Sequence, residues 1–190
     1  GSIFLAEDYG GVIYRTALGA SGRTTWVSGF HSGDDDPIGM AIAPATYTGD
    51  VLLPGEALVV DRGYSGLDEI WIWSPLVAEG ERLLHTDDGT LVDAIDVAID
   101  ATGVYLVDSG DAAAGVVYEV TAGGVLLPLA TSEPLDDPTG IAIDPWTGDL
   151  LVVEHLVGRV VRIDRTTGAV AELVTGPAER YLEELPEVLG

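Results

Sequence analysis

The chain alternates short apolar runs with clusters of Gly, Asp, Thr and Pro, and almost none of the runs has helical spacing. In PIGMAIAP (37–44), AIDVAID (94–100) and PTGIAIDP (138–145), large apolar positions alternate with small or polar ones, the period-two signature of a strand. Each is followed by a second apolar run that ends in an acid: ALVVD at Asp61, VYLVD at Asp108 and LLVVE at Glu154. A third run (EIWIW, GVVYEV, RVVRID) and a fourth (ERLLHT, GVLLPLA, AVAELVT) complete each unit, with turn-forming residues between them. Val and Ile dominate these runs, and their β-branched side chains suit a pleated surface better than a helix. The N-terminal segment joins the pattern one strand late: IFLAE ends at Glu7, GVIYRTA matches the third run and TTWVSG the fourth.

Equivalent acids recur at roughly 46 to 54 residues, the length of a four-stranded propeller blade. The longest interval contains ATYTGDVLLPGE, an extended link between the first two strands of its unit. The sequence therefore predicts an all-β fold, a β-propeller of about four four-stranded blades with fifteen readable strands, over residues 1–176. The blades are 1–30 (lacking its first strand), 36–86, 93–131 and 137–175. A tail at 177–190 contains PAERYLEEL, which predicts a short C-terminal helix with Tyr181, Leu182 and Leu185 on one face. Because one strand is missing, three architectures stay open: a compact four-bladed ring, a fragment of a larger ring of six to eight blades, or half of such a ring closed by a second copy through its open blade edge.

Charge narrows the partners. With 8 basic and 32 acidic residues the net charge is −24, a field that repels nucleic acid and anionic membrane surfaces. No apolar run approaches the roughly 18 residues of a membrane-inserted helix. There is no Lys, Asn, Gln or Cys, so every basic side chain other than His is Arg; high-GC coding or a salt-adapted surface accounts for this composition. The absence of Cys removes disulfides and thiolate metal sites. It leaves the compartment open, with a secreted or periplasmic location favoured over the cytoplasm.

Strand alternation places the loop between second and third strands on the same side of a blade as the loop leading to the next blade. Two rows of acids fall there: Glu7, Asp61, Asp108 and Glu154 with Asp8 and His155, and then Asp34, Asp35, Asp36, Asp93, Asp136 and Asp137. One mouth of the channel is thus expected to be strongly acidic. Such carboxylates suit a divalent cation, calcium or magnesium, with Glu7, Asp61, Asp108 and Glu154 as candidate ligands. The competing expectation is that acids at strand ends accept backbone N–H groups and cap the adjoining turns. The function expected first is a non-catalytic binding or interaction module whose mouth takes a divalent cation or a cationic ligand. The alternative is a metal-dependent hydrolase or a lyase using the same mouth.

The segment PTGIAIDPWTGDLLVVEHLVGRVVRID, and more loosely residues 37–175, resembles the repeat of the NHL and SMP-30/gluconolactonase-like propellers. In the SMP-30-like lactonases a divalent ion is held by a Glu, an Asn and an Asp set between Pro and Gly. Here those positions read Pro37-Ile38-Gly39 and Pro138-Thr139-Gly140, and no Asn exists, so only Glu7 could match. LVVEHLVGRVVRID is also similar to the repeat of virginiamycin B lyase-like propellers, which makes His155 a candidate general base. Of the other histidines, His31 lies in the connection before Asp34 and His85 in a fourth strand. Trp71 and Trp73 alternate with Ile70 and Ile72 and are expected to pack between blades, while Trp146, in a turn, is the better candidate for exposure.

Overall fold

The computed structural model describes residues 2–7, 11–28, 35–63, 68–74, 81–85, 88–110, 114–129 and 131–176. The expected C-terminal helix, Asp8, His31 and Asp34 lie outside them. Fifteen strands form four antiparallel sheets in which each strand pairs with the next in sequence. The first sheet holds β1 (Ser2–Glu7), β2 (Val12–Ala17) and β3 (Thr24–Ser28). The second holds β4 (Asp35–Ile42), β5 (Ala57–Gly63), β6 (Glu69–Trp73) and β7 (Glu81–His85). The third holds β8 (Ala94–Ile99), β9 (Val104–Asp108), β10 (Val116–Val120) and β11 (Leu126–Pro128). The fourth holds β12 (Pro138–Ile143), β13 (Leu150–Glu154), β14 (Arg159–Ile163) and β15 (Val170–Thr175). No helix occurs among the described residues. The all-β, four-sheet architecture read from the repeat is the one observed.

One boundary differs. Asp35 and Asp36, expected in a connecting loop, belong to β4, where they pair with Gly63 and Arg62. The ladder carries past Pro37, which has no N–H to donate, through an irregularity in register between Pro37 and Gly39.

Period-two alternation makes every strand two-faced, and the faces pack sheet to sheet in chain order. Phe4, Ile13 and Trp26 of the first sheet meet Met40, Val59, Trp71 and Trp73 of the second. The Trp26 ring lies 4.4 Å from that of Phe4 and meets Trp73 edge-on at 6.2 Å. The opposite face of the second sheet buries Leu58, Val60, Ile70 and Ile72 against Val97, Val104, Leu106 and Tyr118 of the third. In turn Ala98, Tyr105, Val107 and Val117 pack on Ile141, Leu150, Val152, Val161 and Ile163 of the fourth. Burying each large side chain of this kind contributes about 1.5 to 3 kcal/mol relative to exposure.

Neighbouring sheets meet chiefly through their first strands, β4 with β8 and β8 with β12. At Gly39 the approach leaves no room for a side chain, since a Cβ there would stand 2.7 Å from the Ile95 carbonyl oxygen. The long link in the second unit folds over the core between the second and third sheets. It buries Tyr47, Val51 and Leu52 and donates the Thr48 N–H to the Ala101 carbonyl at 2.7 Å. Between the fourth and first sheets no comparable interface exists among the described residues, so the four sheets form an open arc.

Candidate functional site

The acids at the strand ends were the first candidates, and their surroundings define what they do. Asp108 is buried at the end of β9. Its Oδ2 accepts the Val92 N–H at 2.8 Å, and its Oδ1 accepts those of Asp93 at 3.2 Å and Gly110 at 2.8 Å. Glu154, fully buried at the end of β13, accepts the Asp136 N–H at 2.6 Å and two hydrogen bonds from the Arg159 guanidinium. Arg159 also reaches Glu133 at 3.2 Å. Donating these hydrogen bonds to Glu154 raises the Arg159 pKa further above its ordinary value. Both acids join the end of a second strand to the connection entering their own sheet, which is the turn-capping role.

Asp61 is buried, on the β5 position that pairs with Glu69 and Pro37. Glu7 accepts from the Tyr14 hydroxyl at 3.1 Å and lies 3.7 Å from Arg23. Asp93 accepts from the Ser109 hydroxyl at 2.7 Å and faces Arg62 at 3.5 Å. Asp68, which the repeat did not single out, is fully buried and accepts the Ala94 N–H at 2.6 Å, tying the second sheet to the start of the third. Among the described residues no group of three His, Asp or Glu side chains is arranged to hold a metal ion. The described residues therefore do not fit a divalent-cation site, and Glu7, Asp61, Asp108 and Glu154 are not brought together as one.

A different grouping occurs between the third and fourth sheets. Ser109, Gly110 and Ala114 from the β9–β10 loop, Pro134, Asp136 and Asp137 from the connection into β12, and Leu156 from the β13–β14 loop line a cleft of about 480 Å³. His155 stands beside Leu156, with its Nδ1 at 3.0 Å from Asp137 Oδ2. A carboxylate can only accept, so Nδ1 carries the proton and Nε2 is left as the basic nitrogen of the neutral ring. The His155 N–H also donates to the Asp137 carbonyl at 3.0 Å.

These two contacts hold Asp137 at φ +47°, the only non-glycine residue with positive φ among those described. Asp tolerates this conformation better than most residues, and the strain aims its carboxylate at the imidazole. His155 is 72% exposed at the side chain and Asp137 31%, so a ligand can reach both. Sequence reading named each residue and missed their pairing, which depends on the β13–β14 loop folding back over the connection into β12. His85 is structural: its Nδ1 lies 2.9 Å from the Gly124 carbonyl, between the second and third sheets.

The fold is a β-propeller arc, and comparison with known proteins is consistent with this. No protein-family model and no curated protein sequence matches the chain. Solved structures do. A catalytically inactive histidine-to-alanine variant of virginiamycin B lyase from Staphylococcus aureus, crystallised with quinupristin, superposes with a TM-score of 0.66 at 17% identity, over 95% of this chain and 54% of that one. A gluconolactonase from Xanthomonas campestris gives 0.67 at 14% identity, over 93% of this chain and 59% of that one. A chain of the nidogen/laminin complex gives 0.66 at 16%, over 92% and 58%. The propeller fold is thereby shown, and the chain spans little more than half the length of these structures. Two enzymes and a member of a protein complex share this architecture, so chemistry must be argued from the site.

Proposed function

We propose that the chain is a ligand-binding propeller segment whose cleft between the third and fourth sheets takes a small cationic or hydrogen-bond-donating organic group. The observation that carries this is the paired Asp137 and His155 on the rim of the cleft, next to the exposed Asp136 and the Ser109 hydroxyl. In a molecule of net charge −24 the surrounding field concentrates cations at such an opening. An organic cation suits it better than a bare divalent ion, because Asp108 and Glu154 already accept backbone N–H groups or Arg159.

Thermal-shift and calorimetric titrations with agmatine and spermidine, set against calcium and magnesium chloride, test this. Binding of an amine that weakens about tenfold or more in Asp137→Asn supports it. A shift with calcium alone, or with none of the four, overturns it.

A second reading rests on the same 3.0 Å contact: His155, held in the Nδ1–H form by Asp137, serves as a general base in a lyase-type elimination or ring opening. The catalytically inactive histidine variant of virginiamycin B lyase establishes the importance of a histidine for that enzyme. Here the reading predicts turnover of a cyclic ester that His155→Ala abolishes, measured as acid released at constant pH. Absence of turnover in the unsubstituted chain rejects it.

A further inference from the structure

The repeat builds the same joint twice beside the cleft, with different side chains. In the fourth sheet the residue after Glu154 is His155, and it bonds to Asp137, the residue just before β12, through its N–H and its ring Nδ1. In the third sheet the residue after Asp108 is Ser109, and it bonds to Asp93, the residue just before β8, in the same way. The Ser109 N–H donates to the Asp93 carbonyl at 2.9 Å, and its hydroxyl lies 2.7 Å from Asp93 Oδ2. The backbone bond closes each joint, so the side chains are free to differ in what they offer a ligand.

A carboxylate can only accept, so the Ser109 hydroxyl gives its proton to Asp93, whose charge Arg62 offsets at 3.5 Å. Its Oγ is left with lone pairs alone, and no donor reaches it among the described residues. Ser109 is only 4% exposed, yet it lines the cleft from the third sheet. From the other wall come Asp136 and Asp137. The N–H groups of Ser109, Gly110 and Asp136 are spent within the fold, on Asp93, Asp108 and Glu154. Every polar side chain that lines the cleft therefore presents acceptors only, and Ala114, Pro134 and Leu156 complete it with apolar surface.

We infer that this cleft selects a guanidinium group on an apolar stem over an ammonium ion, an inference that rests on reading the cleft as a binding site for organic cations. A carboxylate, phosphate or sulfate would meet lone pairs on both walls. An ammonium ion is compact and strongly hydrated, and it gives up that water for few partners. A guanidinium is planar, holds its water weakly and carries five N–H donors with no acceptor. Its edges can serve the carboxylates of one wall and Ser109 Oγ of the other at once, with its flat faces against Pro134 and Leu156. The fold uses the same chemistry nearby, where the Arg159 guanidinium bridges Glu133 and Glu154.

Calorimetry with agmatine and 1,4-diaminobutane, which differ only in that one amino group of the second is a guanidino group in the first, provides the test. At about 0.15 M sodium chloride, which screens the general field of the acidic chain, agmatine should bind about tenfold more tightly or better. Ser109→Ala should bring the two affinities to within about threefold, because it removes the acceptor of the third-sheet wall and leaves the carboxylates in place. Equal binding of the two by the unsubstituted chain overturns the inference and leaves the cleft as a site for organic cations in general. Binding of neither overturns that broader reading as well. A ratio that Ser109→Ala leaves unchanged, in a variant with the same thermal midpoint, overturns the role of Ser109. If the variant loses its fold, the ratio in the unsubstituted chain still decides.

N-Acetylarginine amide separates the sources of the group, since it carries the guanidinium as a peptide does. Tighter binding of this compound than of agmatine assigns an arginine side chain of a protein, and tighter binding of agmatine a free small molecule. Either order upholds the guanidinium.

Discussion

At the scale of single residues, the structure makes Asp108 and Glu154 fasteners within their own sheets. Asp108 accepts three backbone N–H groups within 3.2 Å while almost wholly buried, and each such charge-assisted bond replaces water that the strand ends can no longer reach. Asp108→Ala is expected to destabilise the fold by about 3 kcal/mol, and Asp108→Asn by less, because an amide oxygen can accept part of the set. Urea denaturation followed by tryptophan fluorescence measures both; equal stability of Asp108→Ala and the unsubstituted chain would contradict the capping role. Asp137 stands apart from these acids, for its carboxylate meets an exposed side chain across a cleft.

Among the elements, the bonds that tie one sheet to the next set the response to pH. Asp96 sits at an irregularity in β8, where its carboxylate accepts the N–H of Val97 at 2.8 Å and, across the interface, that of Ile141 in β12 at 3.1 Å. Burial raises its pKa above the ordinary 3.8 in spite of these bonds. The folded state then holds the proton more tightly than the unfolded chain, so the stability due to protonation is complete below the ordinary value and is lost as pH rises through the raised one. Replacing Asp96 by Asn removes this dependence, and the variant should gain on the unsubstituted chain between pH 4 and pH 7 in urea midpoint; a gain in the opposite direction would refute the sign.

Asp100 behaves in the opposite sense. Partial burial acts to raise its pKa, but the N–H groups of Thr102 and Gly103 and the Arg165 guanidinium together hold it below 3.8. Its contribution is complete above the ordinary value and fades as pH falls through the lowered one.

For the whole molecule, charge works against compactness. A net charge of −24 with only 8 basic side chains leaves most carboxylates without a cationic neighbour, and their mutual repulsion opposes both the compact state and any association of two copies. Raising sodium chloride from about 0.05 to about 1 M shortens the screening length from roughly 14 to 3 Å, so the thermal midpoint should rise by several degrees. Differential scanning calorimetry at the two salt concentrations measures the shift, and an unchanged midpoint would contradict it.

The blades were legible in the sequence because strand alternation and turn chemistry are local, and a repeat writes each of them several times. The spacing of Asp61, Asp108 and Glu154, the Gly-rich joints and the Val and Ile runs determined four similar sheets and the order in which they follow one another. Sequence also determined that one end of the blades would be rich in acids. Only the tertiary structure decided what those acids touch, since a carboxylate that caps a backbone and one that faces a cleft are alike in sequence, each an acid at a joint between apolar runs. The pairing of His155 with Asp137 and the burial of Asp68 against the start of the third sheet arise from contacts between segments distant in the chain. No local pattern can encode these, because each depends on how one sheet is set against the next.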